Sequence, residues 1–170
     1  CGDNNLILRS GERMDEWLEV PTDSSNPINC QHFFQIGNRV FATGSRGEIL
    51  GTNDGNSFSS SISGNRSPIV AMTGDNDNVF ALSAPIKGKG RRLLRSDDGG
   101  QHFYRVDDIN FSADTSNFAY HKGRLQLGDW TSKDGGKSWF LSVEGFETGE
   151  PTGAKEGQYL QSIQNPDGSQ

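Results

Sequence analysis

The sequence predicts an all-β protein made of about four similar units, each with up to four short strands. A turn motif recurs along the chain, and the apolar residues come in short runs broken by Gly, Asn, Asp and Ser. Only 31% of the 170 residues are hydrophobic, and 22 are glycine. This composition is typical of strands that bury a few side chains each between tight turns.

The recurring motif reads Ser-x-Asp-Gly-Gly-x-polar-aromatic. Four copies are recognisable, at residues 10–17, 52–58, 96–103 and 132–139. The second copy is one residue shorter, and the first has lost both glycines and has Glu12 in place of Asp. The acidic positions are separated by 42, 44 and 36 residues, which is the period of a four-stranded repeat.

Turn residues and apolar runs place the strands of each unit. The first unit has two, at 6–9 and 17–20. The next three have four each, at 30–36, 39–43, 48–52 and 57–62, at 69–73, 79–83, 92–96 and 102–106, and at 117–121, 124–127, 130–132 and 138–143. A lone strand is expected at 158–164. Residues 6–164 would form one domain, with a tether at 1–5 and a tail at 165–170.

The motif resembles the Asp-box, or BNR, repeat of sialidase-like β-propellers, over roughly residues 6 to 143. The resemblance implies an array of about four propeller blades, in which each box is the hairpin between the third and fourth strands. The Asp would accept backbone N–H bonds, the glycines would take positive φ, and the aromatic ring would pack between sheets. The residues with this structural role are Thr52, Asp54, Phe58, Ser96, Asp98, Gly100, Phe103, Ser132, Asp134, Gly136 and Trp139.

Three arrangements of the blades are compatible with the sequence. Pairing the C-terminal strand with the N-terminal pair would close a ring of about four blades and remove exposed sheet edges. A partial or open array, and two chains that complete one ring, are the alternatives.

The resemblance to sialidases does not extend to their catalytic residues. The aromatic-Arg-Ile-Pro motif of that family is absent, and His32, His102 and His121 lie on different expected strands. Residues 75–78 alternate Asp and Asn but lack the Gly and distal Glu of a calcium loop, so a plain turn is favoured. We therefore expect a protein without enzymatic activity, metal or cofactor.

The two cysteines indicate where in the cell the protein acts. Cys1, followed by Gly, Asp and Asn, resembles the mature start of a bacterial lipoprotein. Lipidation of Cys1 would anchor the domain to the membrane, on the extracytoplasmic side. A Cys1–Cys30 disulfide is the competing alternative. Cys30 itself lies in an apolar run, which favours a buried free thiol.

A long loop interrupts the repeat between the second and third strands of the third unit. It contains four cations in an otherwise acidic chain, namely Lys87, Lys89, Arg91 and Arg92. One interpretation is a basic finger that binds an acidic partner; the other is a solvated hairpin. Trp130, on the equivalent loop of the next unit, is a candidate aromatic anchor or a core residue.

The net charge of −6 argues against nucleic acid as the partner. The function predicted is protein–protein interaction in the cell envelope, as a binding or assembly module. The alternative is a carbohydrate-binding remnant of a glycosidase, which would present aromatic platforms and Asn/Asp clusters.

Overall fold

The computed structural model describes residues 1–11, 16–87, 90–110 and 115–142, which form four antiparallel sheets. Sheet 1 pairs β1 (Leu8–Ser10) with β2 (Trp17–Glu19), and sheet 2 contains β3 (Cys30–Ile36), β4 (Arg39–Gly44), β5 (Ile49–Thr52) and β6 (Ser59–Ser61). Sheet 3 contains β7 (Ile69–Gly74), β8 (Val79–Ser83), β9 (Arg91–Ser96) and β10 (Tyr104–Ile109). After a 3-10 turn at Thr115–Asn117, sheet 4 contains β11 (Phe118–His121), β12 (Arg124–Leu127), β13 (Trp130–Ser132) and β14 (Phe140–Leu141).

In every sheet the strands follow one another in sequence order, joined by hairpins. The first strands of successive sheets are neighbours, because β7 contacts both β3 and β11. The predicted all-β class and the succession of four-stranded units are therefore confirmed. The expected lone strand at 158–164 and the tail at 165–170 lie outside the described residues.

The core consists of three apolar layers, one between each pair of adjacent sheets. Strand alternation explains this arrangement, because neighbouring side chains point to opposite faces of a sheet. On β4, Phe41 faces the layer between sheets 2 and 3, while Ala42 faces the layer between sheets 1 and 2. On β8, Ala81 faces the layer between sheets 2 and 3, while Leu82 faces the layer between sheets 3 and 4.

The aromatic residue of each turn motif enters the layer shared with the preceding sheet. Phe58 is buried against sheet 1, Phe103 is buried against sheet 2, and Trp139 packs against the layer next to sheet 3. Each turn motif therefore joins two sheets as well as two strands.

The N-terminal residues are bound to sheet 2, where the sequence analysis expected a free tether at 1–5. Cys1 forms a disulfide with Cys30 at the start of β3. Backbone bonds add to it, since Cys30 N donates to Gly2 O (3.1 Å) and Asn5 N donates to Ile28 O (3.0 Å). The amino-acid composition of this segment did not predict these bonds, because most of them join backbone groups and not side chains.

The disulfide corrects the prediction for Cys30, which is not a free thiol. The sulfur of Cys1 is engaged as well, and a disulfide and a thioether to diacylglycerol cannot form on the same sulfur. None of the helical turns among the described residues is long and apolar enough to cross a membrane.

Candidate functional site

The third turn motif, residues 96–103, is closed by the carboxylate of Asp98. Its Oδ1 atom accepts hydrogen bonds from the backbone N–H groups of Gln101 (2.9 Å) and His102 (3.0 Å) and from the hydroxyl of Ser96 (2.7 Å). Oδ2 lies 2.6 Å from Nδ1 of His102. Partial burial alone would raise the pKa of Asp98, but these hydrogen bonds outweigh it and hold the pKa well below the ordinary range.

Residues 132–139 repeat this arrangement around Asp134. Its Oδ1 accepts the N–H groups of Lys137 (3.0 Å) and Ser138 (2.9 Å), and Ser132 donates its hydroxyl over 2.8 Å. Desolvation opposes ionisation here too, yet the bonds from Ser138 and Ser132 lower the pKa of Asp134. The indole N–H of Trp139 donates to Gly136 O at 3.0 Å.

The shortened motif, residues 52–58, closes by a different set of bonds. Asp54 Oδ1 accepts a hydrogen bond from the backbone N–H of Asn56 at 2.9 Å. The side-chain amide of Asn56 donates a second bond to Asp54 Oδ2 at 3.0 Å. These bonds, the backbone N–H first, lower the pKa of Asp54. Thr52 replaces Ser as the hydroxyl, and its Oγ1 accepts Gly55 N at 3.0 Å.

The second glycine of each full motif has a positive φ and leaves no room for a Cβ atom. Gly100 has φ +90°, and a Cβ there would lie 2.5 Å from the Phe41 ring. Gly136 has φ +94°, and its Cβ would overlap Leu93. Since each carboxylate is bound within its own turn, the three acids do not share a cleft. Their arrangement is that of structural residues, as the turn hypothesis requires.

Three arginines connect each sheet to the turn motif of the next, a relationship that the sequence did not predict. Arg9 in β1 donates to the side chain of Asn56 at 2.6 Å. Arg39 in β4 donates from Nη1 to Gly99 O at 3.0 Å. Arg95 in β9 lies over Gly135, where any Cβ would meet its guanidinium.

Of the three, Arg39 stands beside a recess. Two adjoining clefts open between sheets 2 and 3, of about 250 and 470 Å³, and both are lined by Arg39, Asn53 and Gln101. The smaller cleft adds Asp75, Asn76 and Asp98 around an apolar floor that includes Phe41. The larger one, which we call the Arg39 cleft, adds Ser59, Ser60, Ile62 and His102.

The position of Arg39 depends on Gly51 of the neighbouring strand. A Cβ on Gly51 would lie 2.6 Å from both Nε and Nη2 of Arg39, so the glycine makes room for the guanidinium. The guanidinium carbon lies 5.3 Å from the centroid of the Phe41 ring, a cation–π geometry. Desolvation lowers the pKa of Arg39, and the charge of Asp98 opposes that shift.

The expected basic finger is only partly present. Lys87 is exposed, and Lys89 lies outside the described residues. Arg91 and Arg92 belong to β9 and are half-buried; Arg92 donates to Asn65 Oδ1 (3.3 Å), and its Nε lies 3.9 Å from an Asp108 carboxylate oxygen. Arg91, with which the strand begins one residue earlier than expected, donates from Nη1 to Ser83 O at 3.4 Å. Both arginines therefore form contacts with other described residues.

Trp130 and the acidic turn at residues 75–78 are the remaining candidates. Trp130 begins β13 and is half-buried, with partners of its own. At residues 75–78, Asp75 Oδ1 accepts the N–H groups of Asp77 (3.0 Å) and Asn78 (2.7 Å), as in a plain turn. Among the described residues, no group of three or more His, Cys, Asp or Glu side chains is placed to hold a metal ion.

Comparisons with known proteins bear on the fold. Neither a protein-family profile nor a curated protein matches the sequence. Five solved chains match the structure, among them one described as YCF48 bound to D1 peptide, with a TM-score of 0.51 and 15% sequence identity. The match covers 79% of this chain and 46% of that one. The sheets are those of a partial β-propeller.

Each sheet is therefore a blade, and the turn motifs lie between the third and fourth strands of blades 2, 3 and 4. The Arg39 cleft lies between blades 2 and 3, at the end that carries these turns. The residues that line this cleft come from four separate segments of the chain, so no local sequence pattern marks it. The only local signal was Gly51, a glycine inside a strand, which often marks a close approach by another group.

Proposed function

We propose that this protein is a non-catalytic binding module that holds a peptide segment of a protein partner in the Arg39 cleft. The observation that carries the proposal is the cleft itself, a recess of about 470 Å³ lined by hydroxyl, amide and guanidinium groups. Such groups suit a peptide, which has a backbone donor and acceptor at nearly every residue. The structural neighbour described as bound to a peptide is a precedent for this use of the fold.

A protein partner is favoured over a glycan by what lines the cleft. Carbohydrate recognition would call for an exposed aromatic platform. Among the described residues lining the two clefts, Phe41 is the one Phe, Tyr or Trp and is fully buried, and the other ring is the imidazole of His102.

We place the module in the cell envelope. The support is the Cys1–Cys30 disulfide, since such bonds persist in oxidising compartments and are rare in the cytosol. The proposal does not need a lipid on Cys1.

Site-specific photo-crosslinking in the native host tests the proposal. A photoreactive residue at Ile62 or Ser60 is expected to capture one protein, and mass spectrometry should map the cross-links to one short segment of it. The matched control is the same group at Arg46, an exposed residue in the turn between β4 and β5, at the other end of the blade. Equal capture from all three positions, or cross-links to glycan, would contradict the proposal.

A further inference from the structure

We infer that Arg39 is the specificity-determining residue of its cleft and that it binds a carboxylate of the partner peptide. This inference rests on the proposed function and names the chemistry of the ligand. The carboxylate would come from an Asp or Glu side chain or from a peptide C-terminus.

The first step is the hydrogen-bonding state of the guanidinium. It carries five N–H groups, and one bond is formed, from Nη1 to Gly99 O. Nε is buried and has no acceptor within bonding distance among the described residues. Buried Nε is out of reach of a ligand in the cleft, but three N–H groups on Nη1 and Nη2 also form no hydrogen bond to the described residues. Because Arg39 lines the cleft, a ligand there can supply charged acceptors to these groups.

The second step is that no described carboxylate forms a direct ion pair with Arg39. The ion pairs of the described residues do not include it. Asp98 is near enough to act on its charge, but the Asp98 oxygens are occupied by Ser96, Gln101 and His102. Asp75, the other acid beside the clefts, is occupied by its own turn.

The equivalent arginine of the next blade shows the contrast. Arg95 also lies over a turn glycine, but its Nε pairs with Asp97 at 2.6 Å and its Nη2 donates to Asn78 at 3.2 Å. Arg95 is thus a structural residue with its charge balanced. Arg39 has the same position relative to the next turn and lacks the balancing carboxylate.

The third step concerns the mode of binding. The Arg39 cleft is bordered by β6, an edge strand to which a peptide could in principle add as a further strand. The N–H of Ser60 is already taken by Asp23 Oδ1 at 2.6 Å. Recognition therefore depends on side chains, with the carboxylate at Arg39 and an apolar neighbour against Ile62, which is 66% exposed.

The test is a peptide array that varies only the carboxylates. Each decapeptide is synthesised with Glu or Gln at an internal position, and each with a free or an amidated C-terminus. We expect the protein to select carboxylate-bearing peptides, and the two substitutions tell whether a side chain or a C-terminus supplies the group. For the selected peptides, Arg39→Gln is expected to weaken binding about tenfold or more, the loss of one charge-assisted bond.

Two variants control this result. Arg46→Gln removes the same charge from an exposed arginine outside the cleft and should bind like the wild type. Gly51→Ala keeps the charge but displaces the guanidinium, so it should weaken binding in the same direction as Arg39→Gln. Backbone amide spectra establish that each variant is folded.

The outcomes separate the two proposals. Selected peptides that bind Arg39→Gln as well as the wild type, or that bind equally with Gln and an amidated terminus, overturn the role of Arg39 and leave peptide binding standing. An array in which nothing binds overturns both.

Discussion

Arg39 and Gly99 are 60 positions apart in sequence, yet the guanidinium of the first donates a 3.0 Å hydrogen bond to the carbonyl oxygen of the second. The bond crosses from blade 2 to the turn of blade 3. The contacts of Arg9 and Arg95 repeat the same connection at the neighbouring boundaries. The turn motifs are therefore parts of the interfaces between blades, and several predictions depend on this.

The turn glycines provide the first prediction. Gly100→Ala adds backbone strain at positive φ and a methyl group 2.5 Å from the Phe41 ring. We expect the strain to cost about 1 kcal/mol and the overpacking about 1–3 kcal/mol more. Chemical denaturation measures the sum as a lower free energy of unfolding.

Gly64→Ala is the control for that experiment. Gly64 has φ +59°, and a Cβ there meets nothing within 4 Å. It should show the strain alone, so equal losses in the two variants would mean that the contact with Phe41 contributes nothing.

The second prediction concerns the loss of stability at low pH. The pKa of Asp98 and that of Asp134 are lower in the folded protein than in the unfolded chain. The stability that these carboxylates contribute is therefore fully present above their unfolded pKa of about 4 and is lost as the pH falls below it. Thermal unfolding recorded from pH 7 down to pH 2 should show the loss.

Asp134→Asn removes one of these contributions. It should lower the free energy of unfolding at pH 7 by about 1–2 kcal/mol, through its bonds to two backbone N–H groups. As the pH falls from about 4 toward the lowered pKa of Asp134 in the folded protein, the variant and the wild type should converge. A difference that stays constant down to pH 2 would show that the charge of Asp134 is not what stabilises the turn.

The third prediction concerns the disulfide, which closes a loop with a sequence separation of 29 residues. Cys1→Ser and Cys30→Ser should each lower the free energy of unfolding by about 3–4 kcal/mol, the loop-closure value for that length. The two variants should lose equal amounts. Intact mass and thiol labelling of protein from the native host check that the pair is oxidised.

The same two variants test the lipid anchor expected at Cys1. With a thioether on that residue, Cys1→Ser alone would release the protein from the membrane fraction, and Cys30→Ser would leave it there. With the disulfide, the distribution between fractions is the same for both variants and the wild type.

The fourth prediction separates the cations of the long loop. Arg92→Gln should reduce stability by about 1 kcal/mol, because it removes the cation 3.9 Å from Asp108 Oδ1 and leaves Arg105 as the remaining ion-pair partner of this largely buried carboxylate. Lys87→Ser should leave the thermal midpoint unchanged and, because Lys87 is exposed, report only on binding. If partner capture falls with Lys87→Ser, the basic loop contributes to binding after all.

The sequence was sufficient for those features that depend on neighbouring residues. The predicted limits of β3 and β8 agree with the structure, because turn residues and apolar runs mark both ends of each strand. β10 begins two residues later than predicted and continues to Ile109. A register shift between Arg105 and Asp107 interrupts its alternation, so the sequence pattern ended too early.

Features that depend on distance in space could not be predicted in the same way. The choice between a free thiol and a disulfide at Cys30 required the position of Cys1. The role of Arg39 required the position of Gly99 in the next blade. Arg91 and Arg92 were counted among the cations of an exposed loop because charge was read as exposure, although Arg92 was also expected to begin a strand; both are half-buried in β9.

The segments that follow the last strands of blades 1 and 2 each join the next blade. Thr22 and Ile62 form parallel bridges with Phe58 and His102, so each segment is bonded to the turn of the following blade. Both of these boundaries are made from one blade's exit segment and the next blade's turn, and a duplicated blade would carry both halves. An ancestor could therefore lengthen the array by tandem duplication within the gene, with each added copy docking through contacts already encoded.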